Sequence, residues 1–174
     1  MAKILLEEAK LNPAFRQKYL NQIDLGPMRQ YVSEILYQPN QARNVPRAAA
    51  ASFSNLAHSL LLKYHPSQIV VYPSLFEKQP YNDNDDNILS AIRDHEGTHA
   101  KQKFYQPRLY VGHQFAFCRP TKKIRAILEI RAYQYQKFIA ASEKLQISEG
   151  LRSLIEERIA MYRNLLAQVK QERA

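Results

Sequence analysis

The chain has 174 residues, 45% apolar and 24% charged, with 4 Gly and a formal charge of +9. That length suits one domain burying roughly two-thirds of the surface its unfolded chain would expose, and frequent Ala, Leu, Gln, Lys and Arg lean it towards helix. The sole cysteine, Cys118, excludes an intrachain disulfide and a cysteine-built metal site, and no stretch approaches the roughly 20 apolar residues of a membrane span, so a soluble, cytoplasmic, mostly helical α+β protein is expected.

Residues 2–11 alternate apolar and charged positions at helical spacing, and Glu7 and Glu8 interrupt them too early for a signal peptide. Asn12-Pro13 then offers a capping residue followed by proline at a first helical position, which predicts a second helix to about Ile23. After the Gly26-Pro27 break, Met28, Tyr31, Val32, Ile35 and Leu36 form an i, i+3, i+4, i+7 stripe that predicts a third short helix. Residues 38–46 read as a loop. The alanine-rich segment 47–64 carries Phe53, Leu56, Ala57, Leu60, Leu61 and Tyr64 at helical spacing and predicts a buried helix stopped by Pro66. Gln68-Ile-Val-Val-Tyr72 is β-branched and aromatic, and Pro73 at its end suits an edge strand.

Asn82-Asp-Asn-Asp-Asp-Asn87 lacks the Gly and distal Glu of a calcium loop, so its carboxylates are read as charge at a helix N-terminus. That helix is predicted over about Ile88 to Phe104. Residues 109–118 are aromatic and β-prone around Gly112, suiting a short hairpin or irregular strand. A long helix follows from about Lys122 to Leu145, and Ser148 caps a last amphipathic helix with Leu151, Leu154, Ile155, Ile159, Tyr162, Leu165, Leu166 and Val169 in register. The single domain thus divides into N-terminal helices (1–66), a central core (67–145) and a C-terminal helix (146–174).

The central helix carries His95-Glu96-Gly97-Thr98-His99. Residues four apart on an α-helix differ by about 40° around the axis, so His95 and His99 share a face one turn apart and can bind one metal ion. Glu96 is rotated by about 100°, which lets it reach a metal-bound water without ligating. Zinc lowers the pKa of such a water to about 7, and a neighbouring carboxylate can take its proton and pass it on. Catalytic zinc usually takes three protein ligands. Ala100-Lys-Gln-Lys-Phe-Tyr105 supplies neither the Gly nor the third His of a metzincin pattern, so the third ligand must lie on another element.

Glu129 is the leading candidate, on the next long helix with small Ala132 one turn on to allow close approach; the neutral alternative is a surface glutamate paired with Arg125 or Arg131. It is the only acid among nine cations from Lys101 to Lys137, namely Lys101, Lys103, Arg108, Arg119, Lys122, Lys123, Arg125, Arg131 and Lys137. The motif together with Glu129-Ile-Arg-Ala-Tyr133 resembles the gluzincin zinc metallopeptidases, especially their small single-domain members, over about residues 88–140. The resemblance implies a zincin-like fold: an active-site helix beside a small sheet whose edge strand, for which residues 68–73 are available, binds extended substrate, with the glutamate helix beneath. It also implies His95, His99 and Glu129 as zinc ligands and Glu96 as general base. Many gluzincins carry an Asp shortly after the ligand glutamate to support a histidine, and Ala132 and Tyr133 offer no carboxylate there.

The resemblance further implies an oxyanion-stabilising Tyr or His, for which Tyr110, His113 and Tyr133 stand near enough in sequence. His58, His65 and Cys118 read as ordinary structural residues. The leading expectation is therefore a zinc-dependent peptidase acting on a peptide or protein. The alternative is a basic module in which the nine cations bind nucleic acid or an acidic partner and the zinc is structural or vestigial.

Overall fold

The computed structural model describes residues 4–40, 50–53, 66–105 and 122–171. Helices α1 (Leu6–Leu11) and α2 (Pro13–Leu20) meet at Asn12, whose side chain accepts a hydrogen bond from the Ala14 N–H, as Asn12-Pro13 predicts. Buried Arg16 of α2 staples this corner: Nε donates to the Ala9 carbonyl, Nη1 donates to Tyr37 and Glu77, and the guanidinium lies over the Tyr37 and Phe76 rings.

The stripe from Met28 to Leu36 does not become a third helix. A 3-10 turn over Gly26–Tyr31 leads into strand β1 (Val32–Tyr37). The reason lies in the pairing, which steps from Val32 opposite Ser67 to Glu34 opposite Gln68 and so leaves Ser33 as an extra residue. This irregularity puts Val32 and Ile35 on one buried face, where an unbulged strand would point residues three apart to opposite faces. A bulged strand has therefore reproduced helical spacing.

The alanine-rich segment is corrected too, because Ala50–Phe53 form strand β2, while 47–49 and 54–64 lie outside the described residues. Alanine's helix preference is a weak prior that strand pairing overrides. Strand β3 (Ser67–Val71) follows the β-branched run, burying Ser67, Ile69 and Val71 and exposing Gln68. It is the central strand of the order β1-β3-β2, parallel to β1 and antiparallel to β2, so the expected edge position is overturned. Pro73 lies beyond the last paired residue and its missing N–H costs the ladder nothing. Two of the three strands among the described residues thus come from the first 66 residues, where only helices are expected.

After the short helix α3 (Ser74–Glu77) comes α4, a continuous helix with an α-helical start (Asp85–Leu89), a π-helical middle (Ser90–Glu96) and an α-helical end (Gly97–Tyr105). The acidic run before it acts as a cap: the Asn84 side chain accepts from the Asn87 N–H, and Asp85 and Asp86 occupy the first turn. Helices α5 (Lys122–Ser142) and α6 (Glu149–Gln171) complete the chain. Ser148 caps α6 by accepting from the Leu151 N–H, and Leu151, Ile155 and Ile159 bury the predicted stripe against Ala140 and Ile147. The architecture is α+β and mostly helical, with α4 packed between the sheet and α5. No helix among the described residues is long and apolar enough to cross a membrane.

Fully buried Asn87 ties α4 to the α5–α6 connection: Nδ2 donates to the Pro80 carbonyl (2.5 Å) and Ser148 Oγ (2.8 Å), and Oδ1 accepts from the Ser148 N–H (2.8 Å). Asn87→Ala should cost about 2–4 kcal/mol, since truncation strands several partly buried polar groups. Denaturant titration checks it, and a loss within the error of the measurement contradicts this account of the junction.

Candidate metal centre

The π-helical turn closes with the Gly97 N–H donating to the Ile92 carbonyl five residues back. Six of its seven residues are buried, because this turn faces both the sheet and α5. Gly97 has a packing reason: a Cβ there would meet Met28 Cγ at 3.0 Å and Cβ at 3.1 Å. Ala100 is buried in the same core as Met28, while on the α5 side Ala126 and Ala132 are fully buried and Gln136 donates to Ser90. The close approach expected from Ala132 is present.

This packing brings Glu129 of α5 between the two motif histidines. Its Oε2 lies 3.7 Å from His95 Nε2 and 3.6 Å from His99 Nε2, and the three donor atoms fall within 4.8 Å of one another. These separations exceed hydrogen-bond range. The two histidine–carboxylate separations are close to the roughly 3.4 Å between two ligands of one tetrahedral zinc with bonds of about 2.1 Å. Two imidazoles and one carboxylate are also a donor set that zinc takes. The residues therefore fit the metal on distance and chemistry alike.

The rings are oriented differently. His99 Nδ1 is 3.0 Å from Gln102 Oε1, and Gln102 Nε2 donates to the Leu128 carbonyl at 3.3 Å. His95 packs on Tyr133, with ring centroids 4.2 Å apart, and its buried Nδ1 has no hydrogen-bond partner among the described residues. Burial, with His99 adding to it, holds the His95 pKa down at about 3, which keeps that imidazole neutral. Burial also opposes charge on His99, but Glu129 beside it outweighs this and raises its pKa. Burial disfavours the Glu129 carboxylate, yet both histidines and Arg125 hold it at about 2. Before the motif, Arg93 contacts Asp94 at 2.6 Å and Glu143 at 2.8 Å, while burial pushes Asp94 up to about 6.

Glu96 is buried beside the donors, and its negative charge acts on His99, Tyr72, Tyr81 and Lys103. Burial lowers Lys103 to about 8, while the Glu96 and Glu129 charges pull the other way. Burial and Glu129 raise the Tyr133 phenol, which stays neutral. Gln102, Lys103, Tyr72 and Tyr81 were not among the expected site residues. Gln102 and Lys103 stand three and four residues after His99, a spacing that flags neighbours on one helix face; Tyr72 and Tyr81 carry no such signal. Tyr110, His113, His58, His65 and Cys118 lie outside the described residues.

Of the cations of 101–137, Arg108 and Arg119 lie outside the described residues, and Lys122, Lys123, Arg125 and Arg131 are exposed on α5. Lys103 faces the donor cluster, Lys101 lies over the Tyr31 ring, and Lys137 pairs with Glu156. Comparisons with protein-family models, with curated proteins and with solved structures each return no match.

The shifts fix a pH dependence for the metal-free protein. The folded His95 pKa, about 3, lies below its ordinary 6.5, so between these values the unfolded chain binds a proton that the folded one refuses, and stability falls as pH drops. Asp94, raised to about 6 from 3.8, works in the opposite sense, so comparison with His95→Gln isolates the histidine. Between pH 7 and 5 the wild type should lose about 2 kcal/mol more than His95→Gln in chelator-treated denaturant titrations. Equal losses contradict the burial of a neutral His95.

Proposed function

We propose that this chain is a zinc-dependent metallopeptidase of the gluzincin kind, with α4 as the active-site helix of a zincin-like fold and α5 as its glutamate helix. The observation that carries the reading is the convergence of His95, His99 and Glu129 from two helices with Glu96 buried beside them. Zinc held by those three would supply a water of lowered pKa and a Lewis acid for a peptide carbonyl. The chain's own groups do the rest. Glu96 takes the proton and returns it to the leaving amine, in the role a positioned carboxylate plays in acid–base catalysis. Neutral Tyr133, packed on His95, offers an O–H donor on the same side. Since β3 is central, the sheet edge nearest α4 among the described residues is that of β2, and an extended peptide substrate pairs there rather than with residues 68–73.

The binding-module alternative draws on the basic stretch, in which Lys101, Lys103 and Lys137 are engaged with the Tyr31 ring, the donor cluster and Glu156, while Lys122, Lys123, Arg125 and Arg131 are exposed on α5. Purified wild-type protein should carry about one zinc per chain, and Glu129→Ala should lose it. Glu96→Gln should keep the metal while cleavage of a peptide library drops at least about 100-fold. Zinc-loaded wild type that leaves every peptide intact contradicts the peptidase reading, and equal zinc in Glu129→Ala contradicts the ligand set.

A further inference from the structure

We infer that Gln102 is a positioning residue for the metal centre, fixing the tautomer and aim of His99 from within the motif helix itself. The inference deepens the proposed zinc site and rests on it for its consequence, although the tautomer stands on hydrogen bonding alone. The Gln102 Nε2 donates to the Leu128 carbonyl at 3.3 Å, which identifies Nε2 as the amide donor and leaves Oε1 as an acceptor. Oε1 lies 3.0 Å from His99 Nδ1, so Nδ1 must carry the proton of that bond. In a neutral ring that leaves Nε2 with its lone pair, and Nε2 is the atom 3.6 Å from Glu129 Oε2.

One side chain therefore performs two tasks. It selects the His99 tautomer that ligates, and it ties α4 to the carbonyl of the residue just before Glu129. This matters more here than in a symmetric site, because the described residues give His95 Nδ1 no hydrogen-bond partner, and its ring is oriented by packing against Tyr133 and His99. Fixing a metal-ligating histidine through its second nitrogen is typically worth about 10–100-fold in metal affinity.

Two readouts test this on the full chain. In metal-free protein with 15N-labelled histidine, above the pH where His99 titrates, wild-type His99 should show Nδ1 protonated and Nε2 bare, and Gln102→Ala should lose that preference. Zinc titration against a competing chelator should then give Gln102→Ala about 10–100-fold weaker affinity. Gln102→Glu keeps an acceptor for Nδ1 while giving up the donor to the Leu128 carbonyl, and should hold zinc more tightly than Gln102→Ala. An unchanged tautomer or an unchanged zinc affinity in Gln102→Ala overturns the inference. A wild type that shows the tautomer and binds no zinc instead defeats the metal reading, so the two failures are distinguishable.

Discussion

Everything in this molecule that bears on chemistry depends on one largely buried carboxylate held between two largely buried imidazoles. Glu129 approaches His95 and His99 at 3.7 and 3.6 Å, too far to share a proton well and near enough to share an ion. Burying such groups costs several kcal/mol of desolvation unless a counter-charge is supplied. Within the site the Glu96 and Glu129 charges face Lys103, Arg125 and His99, whose pKa Glu129 raises, beside a neutral His95. A divalent cation bound there would replace the His99 proton as counter-charge to the two carboxylates.

The rest of the fold serves to bring α4 and α5 to that distance. Alanines at 126 and 132 remove bulk from the contact, and Gln136 to Ser90 and Gln102 to Leu128 stitch the two helices together. From the other side the sheet and the 3-10 turn press on α4, and Gly97 admits Met28 at van der Waals limits. The π-helical turn at 90–96 lies where these pressures meet, immediately before the second histidine's turn. Asn87 and Ser148 close the far end by fixing α4 to the start of α6.

The part of this arrangement that could be read in the chain is the part governed by short-range spacing. His95 and His99 are four residues apart on a helix whose start the capping run of Asn84, Asp85 and Asp86 announces. Glu129 followed from the lack of nearer ligands and from the small neighbour Ala132, and the structure brings it to the histidines. What spacing could not reveal came from long-range pairing. The bulge at Ser33 let a strand imitate a helix, and pairing with β3 turned Ala50–Phe53 extended against alanine's preference. Tyr72 and Tyr81 reach the site only through tertiary packing, so no local pattern marks them.

The central claim is that two imidazoles and one carboxylate hold zinc. Zinc-edge X-ray absorption on the loaded wild-type protein tests it most directly, since imidazole rings and sulfur scatter distinctly. The account predicts two imidazoles and oxygen at about 2.0–2.2 Å, with no sulfur. A shell at about 2.3 Å from Cys118, or zinc surrounded by water oxygens alone, would contradict it.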